Sequence, residues 1–185
     1  MTGRHRLLAR LALVALPLLL PVSLAAQETY NYSISALGGV GGSIDASPGS
    51  GYGHPSYQLN LMMLTEPQTL VGFRLGHIGF DKDRYVGTLT DADLSYVTIG
   101  GEYRTRESWF DSGIFVGLGA YRMRGIRFAG DSRQEQTSIG GVVGLSSEFR
   151  ITHNLALLLE LAGHYADLKD EQFFATAHGG LSVHF

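Results

Sequence analysis

The chain has 185 residues, with Gly 25, Pro 5, no cysteine and a formal net charge of −3. That length gives room for one domain or two small ones, and the lack of cysteine excludes a disulfide framework, a thiolate metal site and a cysteine nucleophile. Apolar residues at 44% against 17% charged exclude a disordered chain, and the acidic balance excludes the basic footprint that nucleic acid requires.

Residues 1–26 read as a secretory signal peptide. Arg4, Arg6 and Arg10 form a basic start, Leu11 to Leu20 is an apolar run, and Ser23, Ala25 and Ala26 supply small residues for cleavage. A membrane-spanning helix needs about 20 apolar residues; Arg10 cuts this run short, and Pro17 and Pro21 interrupt it. Cleavage after Ala25 or Ala26 leaves 27–185 as one domain. It removes three arginines and no acid, so the remainder is more acidic than the whole. No later apolar stretch is long enough to cross a bilayer as a helix.

The remainder alternates with period two, the signature of half-buried strands. The first strand sets Tyr30, Tyr32, Ile34 and Ala36 against Asn31, Ser33 and Ser35. The second sets Tyr57, Leu59, Leu61 and Met63 against Gln58 and Asn60. Val71, Phe73 and Leu75 oppose Arg74 in the third; Val97, Ile99 and Tyr103 oppose Thr98 and Glu102 in the fourth. The fifth carries Ile114, Val116, Leu118 and Ala120 on its apolar face. In the sixth, Ile139, Val143, Leu145 and Phe149 oppose Ser146 and Glu148. Leu155, Leu157, Leu159 and Leu161 oppose Glu160 and His164 in the seventh. Phe173, Ala175, Ala177, Leu181, Val183 and Phe185 oppose Thr176, His178, Ser182 and His184 in the last. The Leu-rich seventh segment also suits a helix, but Gly, Tyr and Thr dominate its neighbours.

Long and short connections alternate. Ser43–Pro55, Asp81–Ala92, Gly125–Gln136 and Ala166–Gln172 are long, and half of the charged residues beyond position 26 fall in them, which predicts water-facing loops. Aromatics end the apolar faces: Tyr30, Tyr32, Tyr57, Tyr103, Phe110, Phe149, Tyr165 and Phe173. Threaded up and down, they fall into two rings, as in an aromatic girdle at membrane interfaces. The opposite face carries Arg74, Glu102, Glu148, Arg150, Glu160, His164 and His178. These features predict an all-β, eight-stranded antiparallel up-and-down transmembrane β-barrel, apolar face outward and ionic face sealed within.

The signal segment, the eight alternating strands and the final Gly180-Leu181-Ser182-Val183-His184-Phe185 resemble the small OmpA/OmpX-type eight-stranded outer-membrane barrels. The resemblance implies a bacterial outer-membrane location and contact with outer-membrane lipids and lipopolysaccharide. It also implies a last strand, through Leu181, Val183 and Phe185, read by the barrel-assembly machinery. The expected role is a structural or surface-interaction scaffold with no open pore, displaying four loops, with Tyr52, Tyr85 and Phe128 as contact aromatics.

Pairing Tyr165 with Phe173 sets Glu160 opposite His178, and similar threading sets Arg74 near Glu102. An acid–imidazole pair can do acid/base work; an ion-pair network that satisfies buried charge is the favoured reading. A lipid A-modifying enzyme remains the alternative, but the His-x-Ser pattern of such a deacylase is missing, because Tyr165 and Ala166 follow His164. Ser182-x-His184 has no evident acid, and Ser146 and Ser147 have no evident histidine. Met62, Leu64, Phe115, Leu158 and Phe174 share the inward face, either as packing or as a hydrophobic-ligand slot. A soluble periplasmic lipocalin-like carrier is the last alternative. Asp81-Lys82-Asp83 departs from a calcium loop at Tyr85, Gly117-x-Gly119 lacks the third glycine of a dinucleotide fingerprint, and the sequence calls for no cofactor or metal.

Overall fold

Alternation decides where each side chain goes, and the structure, a computed structural model, carries it through eight strands. Residues 31–44, 53–80, 86, 88–106, 109–127, 132–169 and 171–185 are described. The expected signal segment lies outside them, as do Tyr30, Tyr52, Tyr85 and Phe128. The strands are β1 (Tyr32–Ser43), β2 (His54–Glu66), β3 (Thr69–Gly79), β4 (Thr90–Arg106), β5 (Phe110–Ile126), β6 (Gln134–Arg150), β7 (Leu155–Ala166) and β8 (Phe173–His184). They follow one another in chain order around a closed antiparallel barrel, β1 pairing with both β2 and β8. Closure leaves no unpaired strand edge. The Leu-rich segment is strand, with Leu157 opposite Phe149 on one side and Leu181 on the other.

Tyr32, Phe185 and the short turns share one rim, the terminal end; the long connections share the other, the loop end. Between them the outward face is apolar. Leu118 and Ile139 stand 69% and 80% exposed, and Leu59, Leu61, Phe73, Ile99, Leu159 and Val183 are exposed with them. Water does not tolerate one contiguous apolar belt around a whole molecule, since monomers expose patches of only a few hundred Å². On β5 the outward column runs from Phe110 to Ala120 before the first charge, Arg122. Strand rise and barrel tilt make that span about 25 Å tall, the height of the apolar band of a membrane barrel.

Aromatics border the belt. At the terminal end Tyr32 stacks on Phe185 at 6.1 Å, and Phe110 on Phe149 at 6.0 Å. At the loop end Tyr165 meets Phe173 at 5.1 Å, and Tyr57 is exposed near the start of β2. Phe110 departs from expectation: it is buried, because Trp109 covers it at 4.7 Å and presents its own exposed ring in the girdle instead.

The expectation of wholly water-facing long connections is also corrected. Val86 and Leu89 of the β3–β4 connection bridge each other and are buried, as is Leu168 between β7 and β8. With Ile78, Phe80, Leu94, Tyr121, Met123 and Phe174 they form an apolar core inside the loop-end half of the barrel. Apolar side chains in a connection bury themselves wherever a rim offers them a dry surface.

Candidate functional site

The lumen is the place where polar chemistry is concentrated. Its inward positions follow from strand parity, and an eight-stranded barrel is only wide enough for side chains to fill it. Two inward glycines show how tight the fit is. A Cβ at Gly76 would overlap the Tyr96 ring, and one at Gly144 would overlap the Phe115 ring. In each case the missing side chain is the room that the facing aromatic occupies.

Glu102 anchors the terminal-end half, almost fully buried. Arg74 Nη2 donates to its Oε2 at 2.6 Å. Arg104 donates to its Oε1 through Nε at 2.9 Å and Nη2 at 2.6 Å, and Ser146 Oγ donates at 2.6 Å. Arg104 Nη1 then reaches Glu148 at 2.9 Å, whose other oxygen lies 3.0 Å from His184 Nε2. The Arg74 guanidinium also lies 3.8 Å over the Phe115 ring and has its Nε 3.6 Å from Glu160. Glu160 accepts from Gln58 and Asn60, and Tyr96 closes the chain by donating to Gln58 at 2.6 Å. Each carboxylate thus has charged or dipolar partners, which buried charge requires.

The expected Arg74–Glu102 pairing is present. Glu160 and His178 are register partners as expected, yet their side chains bond elsewhere: His178 Nε2 lies 2.8 Å from Ser56 Oγ, while Glu160 is held by the amides. Both reach across the lumen to β2 instead, His178 to Ser56 and Glu160 to Gln58 and Asn60. Among the described residues His164 meets no acid either; it meets Tyr121 at 3.1 Å and Thr176 at 3.3 Å. Arg150 stands at the terminal-end mouth, paired with Asp111 at 2.7 Å. Arg104, Asp111 and Tyr96 were not singled out from the sequence, and Gln58 and Asn60 were placed on the polar face of the second strand but given no role. Continuing the alternation of β4 two residues past Glu102 would have found Arg104.

Among the described residues, the serines that lie near a histidine or an acid are bonded as follows. Ser56 and His178 form a dyad, but Ser56 is wholly buried and also donates to the carbonyl of His77. Ser182 bonds Ser35 at 2.9 Å, while Glu148, the acid not foreseen for His184, is committed to Arg104. Ser146 is bound to Glu102. Of the five apolar inward residues, Met62, Phe115, Leu158 and Phe174 are buried as packing, and Leu64 is half-buried at the terminal end. The cavity at that mouth, beside Arg104, Glu148 and His184, is ≈ 30 Å³, enough to hold ordered water.

Outside the lumen, the loop end carries a second set of charges on the outward face of β4–β6. Arg122 grips Glu135 through Nε and Nη2, both at 2.6 Å, and Arg124 Nε lies 3.5 Å from the same carboxylate. Hydrogen bonding to Arg122 holds the Glu135 carboxyl below its ordinary range. Arg133 pairs with Asp93 at 2.6 Å and lies 4.0 Å from Asp91.

No protein-family profile matches the chain, and no curated protein matches it. Solved structures do. The N-terminal β-barrel domain of Pseudomonas aeruginosa OprF superposes with TM-score 0.60 at 15% identity, over 86% of this chain and 100% of that one. Neisserial surface protein A gives TM-score 0.60 at 17% identity, over 84% and 97%. Ail, the attachment invasion locus protein of Yersinia pestis, gives 0.52 at 14% identity, over 84% and 97%. The chain has the fold of the small eight-stranded outer-membrane β-barrels. That fold accounts for the inverted distribution seen here, with leucines exposed outside and a packed ionic layer within. A lipocalin-like carrier needs the opposite arrangement, an apolar lumen holding an empty cavity.

Proposed function

We propose that this protein is exported, inserts into the bacterial outer membrane and works there as a closed surface scaffold. Its terminal end faces the periplasm and its four long connections face outward, as in barrels whose short turns are periplasmic. The observation that carries the reading is the lumen: among the described residues an ion-pair layer below and an apolar core above occupy it in series, which supports a closed barrel. What the exterior sees is therefore the loops and the strand extensions below them. Ail, a barrel of the same fold, is by its name an attachment protein, which supports a role at the surface. In this reading the polar lumen is structural and no residue is catalytic. Outer-membrane lipids and lipopolysaccharide surround the belt, and Leu181, Val183 and Phe185 present the last strand to the assembly machinery.

The test is fractionation followed by electrophoresis with and without heating, alongside mass spectrometry of lipid A from deletion and overexpression strains. The protein should sediment with outer membranes, change mobility on heating and leave lipid A unchanged. Recovery in the soluble periplasm would overturn the membrane assignment, and altered lipid A would replace the scaffold with an enzyme.

A further inference from the structure

The chain's own β3–β4 connection helps to close the loop-end mouth. Val86 and Leu89 pair through two backbone hydrogen bonds, at 2.8 and 3.0 Å, and make a tight tip. Both side chains are buried in the apolar cluster that holds Phe80, Leu94, Tyr121, Met123 and Phe174. Leu89 has a shaped seat: a Cβ at Gly125 would come within 2.8 Å of the Leu89 Cβ, so the missing side chain is the room that Leu89 fills. Rings wall the cup beneath. Phe80 and Phe174 lie 6.5 Å apart, and Tyr96 stacks on Tyr121 at 5.7 Å.

The return of this tip to β4 is strained. Asp91 has φ +48°, the left-handed region, and is the one non-glycine residue there among the described residues. The β4–β5 register slips at the same point, between Thr90 and Asp93. Arg133, just before β6, clamps the turn: its Nη2 donates to the Asp91 carbonyl at 3.0 Å and to the Asp93 carboxylate at 2.6 Å. The Thr90 hydroxyl adds a bond to the Ile126 carbonyl at 3.1 Å. The Arg133 side chain is 46% exposed, and an exposed pair contributes little. Burial of the two apolar side chains is therefore the main force holding the tip in, and it is the one force that an apolar ligand can replace. We propose that the Val86–Leu89 tip is an autoinhibitory lid, hinged at Asp91, over a cup for a small apolar ring compound. The ligand enters by taking the place of the two side chains, and its ring packs against the aromatic walls. That the cup opens to the cell exterior rests on the outer-membrane reading above; that it opens at all does not.

The chain has no cysteine, so introduced thiols report access to the cup. Met123→Cys places one in the cup wall, and Leu158→Cys places a control in the packed lumen of the terminal-end half. Each is prepared in lipid vesicles alone, with Arg133→Gln and with Gly125→Ala, with heat-shift mobility as the check of folding. The rate of reaction with a charged maleimide is then measured. Labelling at 123 should rise about threefold with Arg133→Gln, as for loss of an exposed pair. It should rise about tenfold or more with Gly125→Ala, whose methyl unseats Leu89. Labelling at 158 should stay slow throughout. Naphthalene should slow labelling at 123 in the opened variants, and naphthalene sulfonate should not. Unchanged labelling at 123 in both variants, a joint rise at 123 and 158, or no protection by naphthalene would each overturn the lid. Sedimentation of the wild type with outer membranes separates such a failure from failure of the scaffold reading.

Discussion

Glu102→Gln is the sharpest test of the lumen as a structural device. Glu102 is 1% exposed and receives four hydrogen bonds, three of them from guanidinium nitrogens. Glutamine has the same shape but no charge, and its NH₂ would face donors rather than acceptors. Arg74 would then depend on Glu160 at 3.6 Å, and Arg104 on Glu148 at 2.9 Å. Removing one partner of a buried pair costs about 3–5 kcal/mol; the surviving acids place this variant near the lower figure, about 3 kcal/mol. That is a large fraction of the roughly 5–15 kcal/mol that holds a domain together. Equilibrium urea unfolding in lipid vesicles, read by gel mobility, measures it. Adding Arg104→Gln should cost less than the sum of the two single changes, because the stranded cation leaves with its partner. A Glu102→Gln loss within about 0.5 kcal/mol of zero, the range of surface substitutions, would refute the network as a source of stability.

Other consequences follow from the same geometry. Gly76→Ala drives a methyl into the Tyr96 ring and should cost about 1–3 kcal/mol by overpacking; pairing it with Tyr96→Leu should recover part of the loss in the same unfolding assay. Leu161→Arg, on the lipid face, should cost about 2–4 kcal/mol near the bilayer midplane, with slower refolding into vesicles, and no loss would contradict lipid contact there. Glu135 has its folded pKa depressed by Arg122. Its stabilising contribution is therefore present above the unfolded value and lost as pH falls through the folded one. Carboxyl-carbon NMR should show it titrating below ordinary glutamates and returning toward them in Arg122→Gln.

The outward face was legible because lipid demands a uniform answer: every second residue from Leu155 to Leu161 must be apolar, and a one-residue slip would invert the barrel. The lumen was only half legible. Arg74 and Glu102 are fixed by strand register, which alternation reveals. Whether Glu160 bonds His178 or the amides of Gln58 and Asn60 depends on side-chain reach across a curved interior, which alternation does not encode. Arg104 was missed because β4 runs beyond Tyr103, the residue taken as its end; Asp111 lies within the fifth strand as read, between Phe110 and Ile114, and was given no role. The apolar core around Leu94, Met123 and Leu89 was hidden for a related reason. There the strands rise past the membrane, the inward face becomes the greasy one, and the pattern changes phase within single strands. Trp109 was lost to a turn, where no periodicity points outward.

The central claim is that hydrocarbon lies outside and the ionic layer inside. Because the chain has no native cysteine, single cysteines at positions 155 to 161 can each carry an environment-sensitive fluorophore in vesicles containing a lipid-borne quencher. Labels at 155, 157, 159 and 161 should be quenched strongly, while 156, 158 and 160 should label poorly and escape the quencher. Uniform quenching along the segment, or the opposite alternation, would contradict the account.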